Sequence, residues 1–238
     1  MIASPPVVLT IAATDSGGGA GIAADLATFA ALGVHGCCVV TAVTAQDTRE
    51  VHAIHPIPAD IVEAQLTAVL DDLDPAVIKT GMLATADTVR LVARRCAGRI
   101  LVVDPVLRAS TGASLADEDV IAAYREHLLP VATVLTPNVD EHSALGLPQG
   151  PGIVVTRGAP PAGSAGQRVE TSNDHGTGCT FASALAAHLA LGTGQGEAVA
   201  LAHAFVSRQL AISRDWAIGA GRGPVAHIHQ PQLQGAEQ

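Results

Sequence analysis

The chain has 238 residues, of which 48% are hydrophobic and only 2% aromatic, and its formal net charge is −9 at pH 7. A core built from Ala, Val, Leu and Ile favours parallel strands covered by helices over an aromatic-rich β-sandwich, and the length favours one domain over residues 1–238. The acidic balance excludes a general nucleic-acid binder, and the lack of a signal-peptide or membrane-spanning pattern predicts a cytoplasmic protein without a membrane partner.

Short apolar runs that read as strands alternate with helical patterns along most of the chain. The predicted strands cover residues 7–12, 35–43, 76–79, 100–103, 131–135 and 153–156. The predicted helices cover residues 20–32, 58–71, 87–96 and 196–212, and one more helix begins near residue 178. This order predicts a three-layer, doubly wound α/β fold with a mainly parallel central sheet flanked by helices. Polar or Gly-rich segments follow the predicted strands, at the sheet edge where such folds bind ligands.

The Gly-rich turn after the first strand, residues 14–21 (TDSGGGAG), is a candidate substrate loop. Asp15 would repel a phosphate, so a neutral polar substrate fits this loop better than a phosphate does. Gln46 follows the second strand, and its amide both donates and accepts, which suits an aminopyrimidine edge. Asp25 would add an acceptor. The alternative for Gln46 is an ordinary capping or loop residue.

Considered one at a time, four further residues are typical of non-catalytic roles. A lone Lys such as Lys79 is usually solvated, and Met82 is typical of core filling. His227 and His229 would share one face of a strand, but the sequence offers no obvious further ligand for a metal. We therefore interpret both histidines as structural.

Carboxylates at two strand ends indicate a metal or phosphate site. Asp104 follows the fourth strand, where it would orient a metal-bound water or the phosphates. Asn138 and Glu141, three positions apart, can share one helix face and hold the water shell of Mg²⁺. The alternatives are a strand-ending turn at Asp104 and an ordinary acidic helix start at Asn138.

Residues 175–180 (HGTGCT), just before an apolar helical pattern, carry the strongest chemical signal. Gly176 and Gly178 let the backbone approach a ligand, and the free N–H groups of a first helical turn stabilise an anion. A phosphoryl transfer needs such an anion hole. Cys179 would lie at the helix start, where a thiolate is favoured, and would act as a general base. The alternative is a Gly-containing turn with an inert Cys.

Taken together in this order, the motifs resemble the hydroxymethylpyrimidine and phosphomethylpyrimidine kinases of thiamine biosynthesis, within the ribokinase-like superfamily. The matching segments are residues 10–22 (TIAATDSGGGAGI), 24–26 (ADL), 44–48 (TAQDT), 79–83 (KTGML), 104–106 (DPV), 136–138 (TPN) with Glu141, 175–180 (HGTGCT) and 219–225 (GAGRGPV) with His227 and His229. The resemblance covers nearly the whole chain.

This resemblance implies an ATP- and Mg²⁺-dependent kinase that phosphorylates 4-amino-5-hydroxymethyl-2-methylpyrimidine and then its monophosphate, and it implies a homodimer. The implied substrate contacts are Gln46, Asp25, Ala13, Ala20, Met82 and Val106. The implied catalytic residues are Gly176, Thr177, Gly178 and the base Cys179. The implied nucleotide contacts are Asn138, Thr156, Arg157 and Gly158. Asp104 and Glu141 would serve the metal.

Some segments depart from the family pattern, and two rival functions follow. Arg157 stands where relatives usually carry a Lys, Ala13 replaces a usual Gly, and residues 159–174 are short for the usual hairpin beside the nucleotide. A pyridoxal kinase is the close enzymatic rival, although Gln46 and Met82 favour a pyrimidine. The short nucleotide side motivates the second rival, a non-catalytic pyrimidine-binding or regulatory protein with a drifted ATP site.

Overall fold

The computed structural model describes residues 4–150, 152–156 and 169–227, and its centre is a five-stranded parallel sheet. The strands are β1 (Val7–Ala12), β2 (His35–Val40), β3 (Ala42–Gln46), β4 (Val51–Pro56), β5 (Val77–Thr80), β6 (Leu101–Val103) and β7 (Val134–Leu135). The helices are α1 (Gly21–Ala31), α2 (Ala59–Asp72), α3 (Ala86–Cys96), α4 (Glu118–Ala123), α5 (Val139–Leu145), α6 (Thr177–Ala190) and α7 (Gln195–Ser213).

The sheet has the strand order β2-β1-β5-β6-β7, and β3 pairs with β4 in a separate antiparallel hairpin. The predicted class, a mainly parallel central sheet flanked by helices, is confirmed. In the ranges that the structure describes, no helix combines the length and the apolar character needed to cross a membrane.

Alternate side chains of the central strands enter two different hydrophobic cores. In β1, Leu9 and Ile11 pack into the core covered by α2, α3 and α4, whereas Val8 packs into the core covered by α1, α6 and α7. The two-residue period of a strand produces this division and requires helices on both faces. The same period places Thr10 on the side of Val8, so a polar side chain enters the layer between the sheet and α1 and α6.

The predicted strands differ from the structure in three places. The strand predicted over residues 131–135 is reduced to β7, because Leu129–Val131 forms a 3₁₀ helix. The prediction for residues 35–43 is wrong at its end, because β2 stops at Val40 and β3 leaves the main sheet. The predicted strand over residues 153–156 forms only isolated parallel bridges, from Ile153 to Leu135 and from Thr156 to Asn138.

The sequence pattern also misses two elements. β4 carries largely exposed side chains and therefore lacks an apolar run. α4 is short and continues into a wider turn over Tyr124–Leu128, so it shows little helical periodicity.

Candidate active site

A cavity of about 820 Å³ opens where β1, β5 and β6 end, at the edge where the sequence predicts a ligand site. The predicted site residues that line it are Ala13, Ala20, Gln46, Met82, Asp104, Val106, Asn138, Glu141, Thr156, Gly176, Thr177, Gly178 and Cys179. Asp25 is not in the lining. Arg157, Gly158 and His229 lie outside the described residues.

Residues 176–179 form the start of α6, and we call them the anion loop. Gly176 precedes the helix with φ 84°, and a Cβ there would overlap the carbonyl oxygen of Gly19, so only glycine fits. The first N–H groups of a helix have no intrahelical partners. A Cβ on Gly178 would have open space around it, with Asp104 Oδ2 at 3.9 Å as its nearest neighbour. The Thr177 N–H donates to the Asp174 carbonyl oxygen at 3.2 Å, so the N–H groups of Gly176, Gly178 and Cys179 are the donors left for an anion.

Asp104 and Cys179 lie side by side in this wall. Burial raises the pKa of Asp104 to about 7, with the positive charge of Lys79 opposing the shift. Its Oδ2 is buried and has no hydrogen-bond partner in the described structure. A carboxyl group with such a pKa exchanges protons readily near neutral pH.

The position of Cys179 at a helix start does not make it a thiolate in this site. Burial raises the pKa of the Cys179 thiol to about 12, because Lys79 only partly offsets burial and the carboxylates of Asp104 and Asp25 add to it. The expectation of a thiolate favoured at the helix start is therefore wrong for the ligand-free protein. Cys179 is a thiol there, and the neighbouring Asp104 carboxylate helps to keep it protonated.

Beneath the cavity, Thr10, Asp25, Lys79 and Ser183 form a hydrogen-bonded set that we call the floor network. Lys79 Nζ lies 2.9 and 2.8 Å from the two carboxylate oxygens of Asp25. The hydroxyls of Thr10 and Ser183 donate to the same carboxylate at 2.6 and 2.7 Å. Asp25 therefore lies under the cavity instead of lining it, since Lys79 and the two hydroxyls already use its oxygens.

The interpretation of Lys79 as a solvated side chain is wrong, because Lys79 is fully buried. Burial alone would lower its pKa, but the negative charge of Asp25, with Cys179 and Asp104, holds the pKa above its ordinary value. The sequence does indicate polar groups in this layer, although it does not indicate the partner of Lys79. Thr10 and Lys79 are polar residues in apolar strands, and the sheet pairs them side by side.

Asn138 and Glu141 form the start of α5 as a capping box. The Asn138 side chain accepts from the backbone N–H of Glu141, and the Glu141 carboxylate accepts from the N–H of Asn138 and of Leu107. Burial raises the pKa of Glu141. The structural interpretation of this segment as a helix start is confirmed, and the same carboxylate still borders the cavity.

The described residues contain no group of three or more His, Cys, Asp or Glu side chains that could hold a metal ion by themselves. Asp104 and Glu141 nevertheless border the same cavity, and Asp104 offers an oxygen without a partner. Two carboxylates that leave room for waters and phosphate oxygens suit Mg²⁺, which rarely binds in an all-protein cage. The donor set fits magnesium with a bound phosphate ligand.

Three polar side chains connect the Gly-rich loop to the anion loop and to β3. His175 Nε2 lies 2.7 Å from Asp15 Oδ2 and 3.3 Å from the amide nitrogen of Gln46. Asp15 also accepts the backbone N–H groups of Gly17, Gly19 and Ala20. The sequence predicts Asp15 as part of a substrate loop. In the structure its carboxylate holds the backbone of that loop in place.

At the mouth of the cavity, Arg222 and Asp174 form what we call the rim pair. The Arg222 guanidinium donates through Nε to Asp174 Oδ1 at 2.8 Å, and through Nη1 to the carbonyl oxygen of Ser110 at 3.1 Å. Sequence reasoning missed this pair, since its members lie in irregular segments far apart in the chain. Nearby, His227 contacts Thr180 Oγ1 at 2.8 Å and so ties the C-terminal segment to α6, a structural role.

Comparison with known proteins gives consistent results. The family model described as phosphomethylpyrimidine kinase matches residues 15–150 and 154–226. A hydroxymethylpyrimidine/phosphomethylpyrimidine kinase of Rhizobium meliloti is 40% identical over 259 residues, covering 94% of this chain and 97% of the relative.

Solved structures agree on the fold. The ADP complex of Bacillus subtilis pyridoxal kinase superposes with a TM-score of 0.80 at 30% identity, covering 94% of this chain and 98% of that one. The phosphomethylpyrimidine kinase of Clostridium difficile has a TM-score of 0.72 at 31% identity, covering 87% of this chain and 99% of that one.

Proposed function

The chain belongs to the phosphomethylpyrimidine kinase family, and we propose that it phosphorylates 4-amino-5-hydroxymethyl-2-methylpyrimidine and then the resulting monophosphate, using ATP. It is a phosphotransferase, and the proposed pathway is thiamine biosynthesis. One observation carries the proposal of substrate and chemistry: a single cavity is lined by an amide suited to a pyrimidine edge, by the anion loop and by Asp104.

The pyrimidine would lie against Gln46, whose amide can pair with an amino group and a ring nitrogen together. Ala13, Ala20, Met82 and Val106 would surround the ring with apolar surface, and all four line the cavity. Asp25 would contribute indirectly, by holding α1 and α6 in place through the floor network. A small flat ring with one polar edge matches this combination.

ATP would enter from the side of the anion loop. Asn138 and Thr156 border the cavity there, and Arg157 and Gly158 follow Thr156 in the chain. Asp104 and Glu141 would hold Mg²⁺, which would neutralise charge on the phosphates and on Asp104. Since Asp104 raises the pKa of Cys179, neutralising its charge would also make the Cys179 thiol easier to deprotonate.

In the proposed reaction, the substrate hydroxyl oxygen attacks the γ-phosphorus while the bond from that phosphorus to the β,γ-bridging oxygen breaks and ADP leaves. The N–H groups of Gly176, Gly178 and Cys179 would stabilise the charge on the γ-phosphoryl oxygens. Cys179 would lose its own proton to water once the charge of Asp104 is offset, and would then receive the hydroxyl proton as a thiolate.

We also propose that the protein is a cytoplasmic homodimer. The hairpin of β3 and β4 supports dimerisation because it lies outside the main sheet and exposes Val43 and Ile54 by 48% and 37%. Sedimentation at several concentrations tests the dimer. A monomer at all concentrations would contradict it.

The decisive experiment incubates the purified protein with the pyrimidine alcohol and Mg-ATP and follows the products by mass. We expect the monophosphate first and the diphosphate later. Cys179→Ala should lower kcat by about 10²–10⁴ with little change in KM, since general-base catalysis supplies about that factor. Cys37→Ala is the matched control, because Cys37 packs at the edge of a core away from the cavity. No turnover by the parent protein would favour a non-catalytic binding role.

A second candidate is phosphorylation of pyridoxal, which the structural similarity to Bacillus subtilis pyridoxal kinase favours. Both substrates present a hydroxymethyl group on a six-membered nitrogen ring. ATP consumption measured separately with each alcohol distinguishes the two candidates. Activity with pyridoxal alone would replace the pyrimidine proposal.

A further inference from the structure

His175 is a buried residue that contacts the C-terminal segment, the Gly-rich loop and β3. Its backbone N–H donates to Gly223 and its carbonyl accepts from Val225, so the C-terminal segment fixes its main chain. Its ring extends between the Gly-rich loop and β3, within reach of Asp15 and Gln46. The His175 side chain is only 7% exposed and that of Asp15 only 2%, so solvent competes little for these contacts.

The contact with Asp15 determines which nitrogen of His175 carries a proton. Asp15 Oδ2 already accepts the N–H groups of Gly19 and Ala20, so it is an acceptor in this contact as well. At 2.7 Å, a lone pair on His175 Nε2 would face a lone pair on that oxygen. Nε2 must therefore carry the proton and donate it.

The protonated Nε2 then decides which way the Gln46 amide points. The two ends of an amide are assigned from their hydrogen bonds, because nitrogen and oxygen have nearly the same shape. Because Nε2 donates its one hydrogen to Asp15, it has no lone pair for an amide NH₂ 3.3 Å away, whereas an amide oxygen there can share the same N–H. The amide oxygen belongs beside His175, and the NH₂ group takes the other position.

The main chain of Gln46 is held by the Gly-rich loop as well. Gln46 N–H donates to Ser16 Oγ at 2.8 Å, and Ser16 Oγ donates to the Gln46 carbonyl at 2.7 Å. Ser16 follows Asp15 in the same loop. The Gly-rich loop therefore holds both the backbone of Gln46 and, through His175, its side chain.

We propose that Asp15 and His175 are positioning residues that lock the Gln46 amide in one orientation, and so select a ring edge with a donor next to an acceptor over the reverse order. The proposal rests on the proposed function, in which Gln46 contacts the substrate ring. The preferred edge carries an amino group beside an unprotonated ring nitrogen. The rejected edge carries a carbonyl group beside a ring N–H.

The test compares kcat/KM for the 4-amino-pyrimidine alcohol with that for its 4-oxo analogue, whose lactam form carries the reverse order. We expect the parent protein to prefer the amino compound by at least about a hundredfold, because reversed partners leave buried polar groups unpaired. In His175→Leu the amide is free to turn over, so this preference should fall at least about tenfold. His175→Gln restores an N–H donor at the end of the side chain and should keep the preference within about threefold of the parent.

The preference ratio separates positioning from general support of the fold. A purely structural role for His175 would lower both kcat/KM values together and leave the ratio unchanged, which would overturn the proposal. Failure of the parent to phosphorylate either pyrimidine would instead contradict the proposed function. A loss of preference in His175→Gln equal to that in His175→Leu would also count against an N–H donor.

A second measurement uses the unaltered protein and does not depend on how the variants fold. Long-range ¹H–¹⁵N spectra of protein labelled with ¹⁵N-histidine report which ring nitrogen is protonated, and loss of a signal in His175→Gln assigns it. We expect the proton on Nε2. A proton on Nδ1 alone would overturn the proposal, since Nε2 would then have nothing to donate.

Discussion

The floor network and the rim pair each contain an ion pair, but their surroundings are opposite. Lys79 and Asp25 have no exposed side-chain surface, whereas Arg222 and Asp174 are 51% and 30% exposed. Water already solvates the partners at the rim, so their attraction adds little to stability. In the floor each charge depends on the other, because burial of an unpaired charge is very costly.

The floor network and the rim pair have different tasks. The floor network joins β1, β5, α1 and α6 at one carboxylate, and α6 also carries the anion loop. Ser183 lies one turn after Cys179 on the same face of α6, so its hydrogen bond to Asp25 fixes which way Cys179 points. The rim pair only holds loops together. The floor therefore determines the geometry of the catalytic wall, and the rim influences access to it.

The largest expected effect is that of removing one floor charge. Lys79→Met leaves Asp25 buried without its counter-ion, and we expect the free energy of unfolding to fall by about 3–5 kcal/mol. Urea denaturation followed by circular dichroism measures it. The double variant Lys79→Met/Asp25→Asn should recover more than half of the loss, because the amide that replaces the carboxylate is neutral, accepts from one of the two hydroxyls and donates to the other. A loss below about 1 kcal/mol, typical of an exposed pair, would show that the floor and rim do not differ.

A smaller effect is expected at Gly176, between the rim residue Asp174 and the floor residue Ser183. Gly176→Ala places a Cβ at φ 84° against the carbonyl of Gly19, and we expect a loss of about 2–4 kcal/mol in the free energy of unfolding. Gly178→Ala is the matched control, since open space surrounds that position. It should change stability by less than about 1 kcal/mol while lowering kcat, because its methyl group faces Asp104. Equal destabilisation by both variants would contradict this account.

The buried His227 should make the free energy of unfolding depend on pH, with an effect of intermediate size. Burial lowers the pKa of His227 to about 4 from an ordinary 6.5, so between these values the unfolded chain binds a proton that the folded protein does not. Stability should therefore fall as the pH decreases from 6.5 to 4, by about 2–3 kcal/mol from this residue. His227→Gln should flatten that slope, and exposed His55→Gln should not. Unfolding midpoints across this pH range measure it, and equal slopes in both variants would refute the assignment.

Much of the fold was predictable from the sequence because it depends on local periodicity. β1 lies at the predicted residues 7–12, and the anion loop starts a helix as expected. The candidate site residues were also predictable as a group, since strand ends meet at one edge of a parallel sheet. β4 escaped prediction because its side chains are mostly exposed and give no apolar run.

The floor and rim could not be predicted because their contacts connect distant positions. Asp25 and Lys79 are 54 residues apart. The register of β1 beside β5 sets Thr10 next to Lys79, and the packing of α1 on the sheet brings Asp25 to both. The rim pair depends on the path of irregular segments, for which no periodic pattern exists. The prediction of a Cys179 thiolate is wrong for a similar reason. The dipole of one helix favours a thiolate, but burial and the carboxylates of other elements dominate the pKa of Cys179.

The smallest expected effect on stability is that of breaking the rim pair. Arg222→Gln should lower the free energy of unfolding by less than about 1 kcal/mol, because both partners are solvated in the folded protein and the exposed attraction is screened by salt. Its effect should instead be local. Arg222 also donates to Ser110, so its loss should speed amide hydrogen exchange in residues 108–114 and raise KM more than it lowers kcat. Exchange protection in β1 should not change. If Arg222→Gln destabilised the protein as much as Lys79→Met, the rim would share the structural task of the floor, and the division between the two regions would fail.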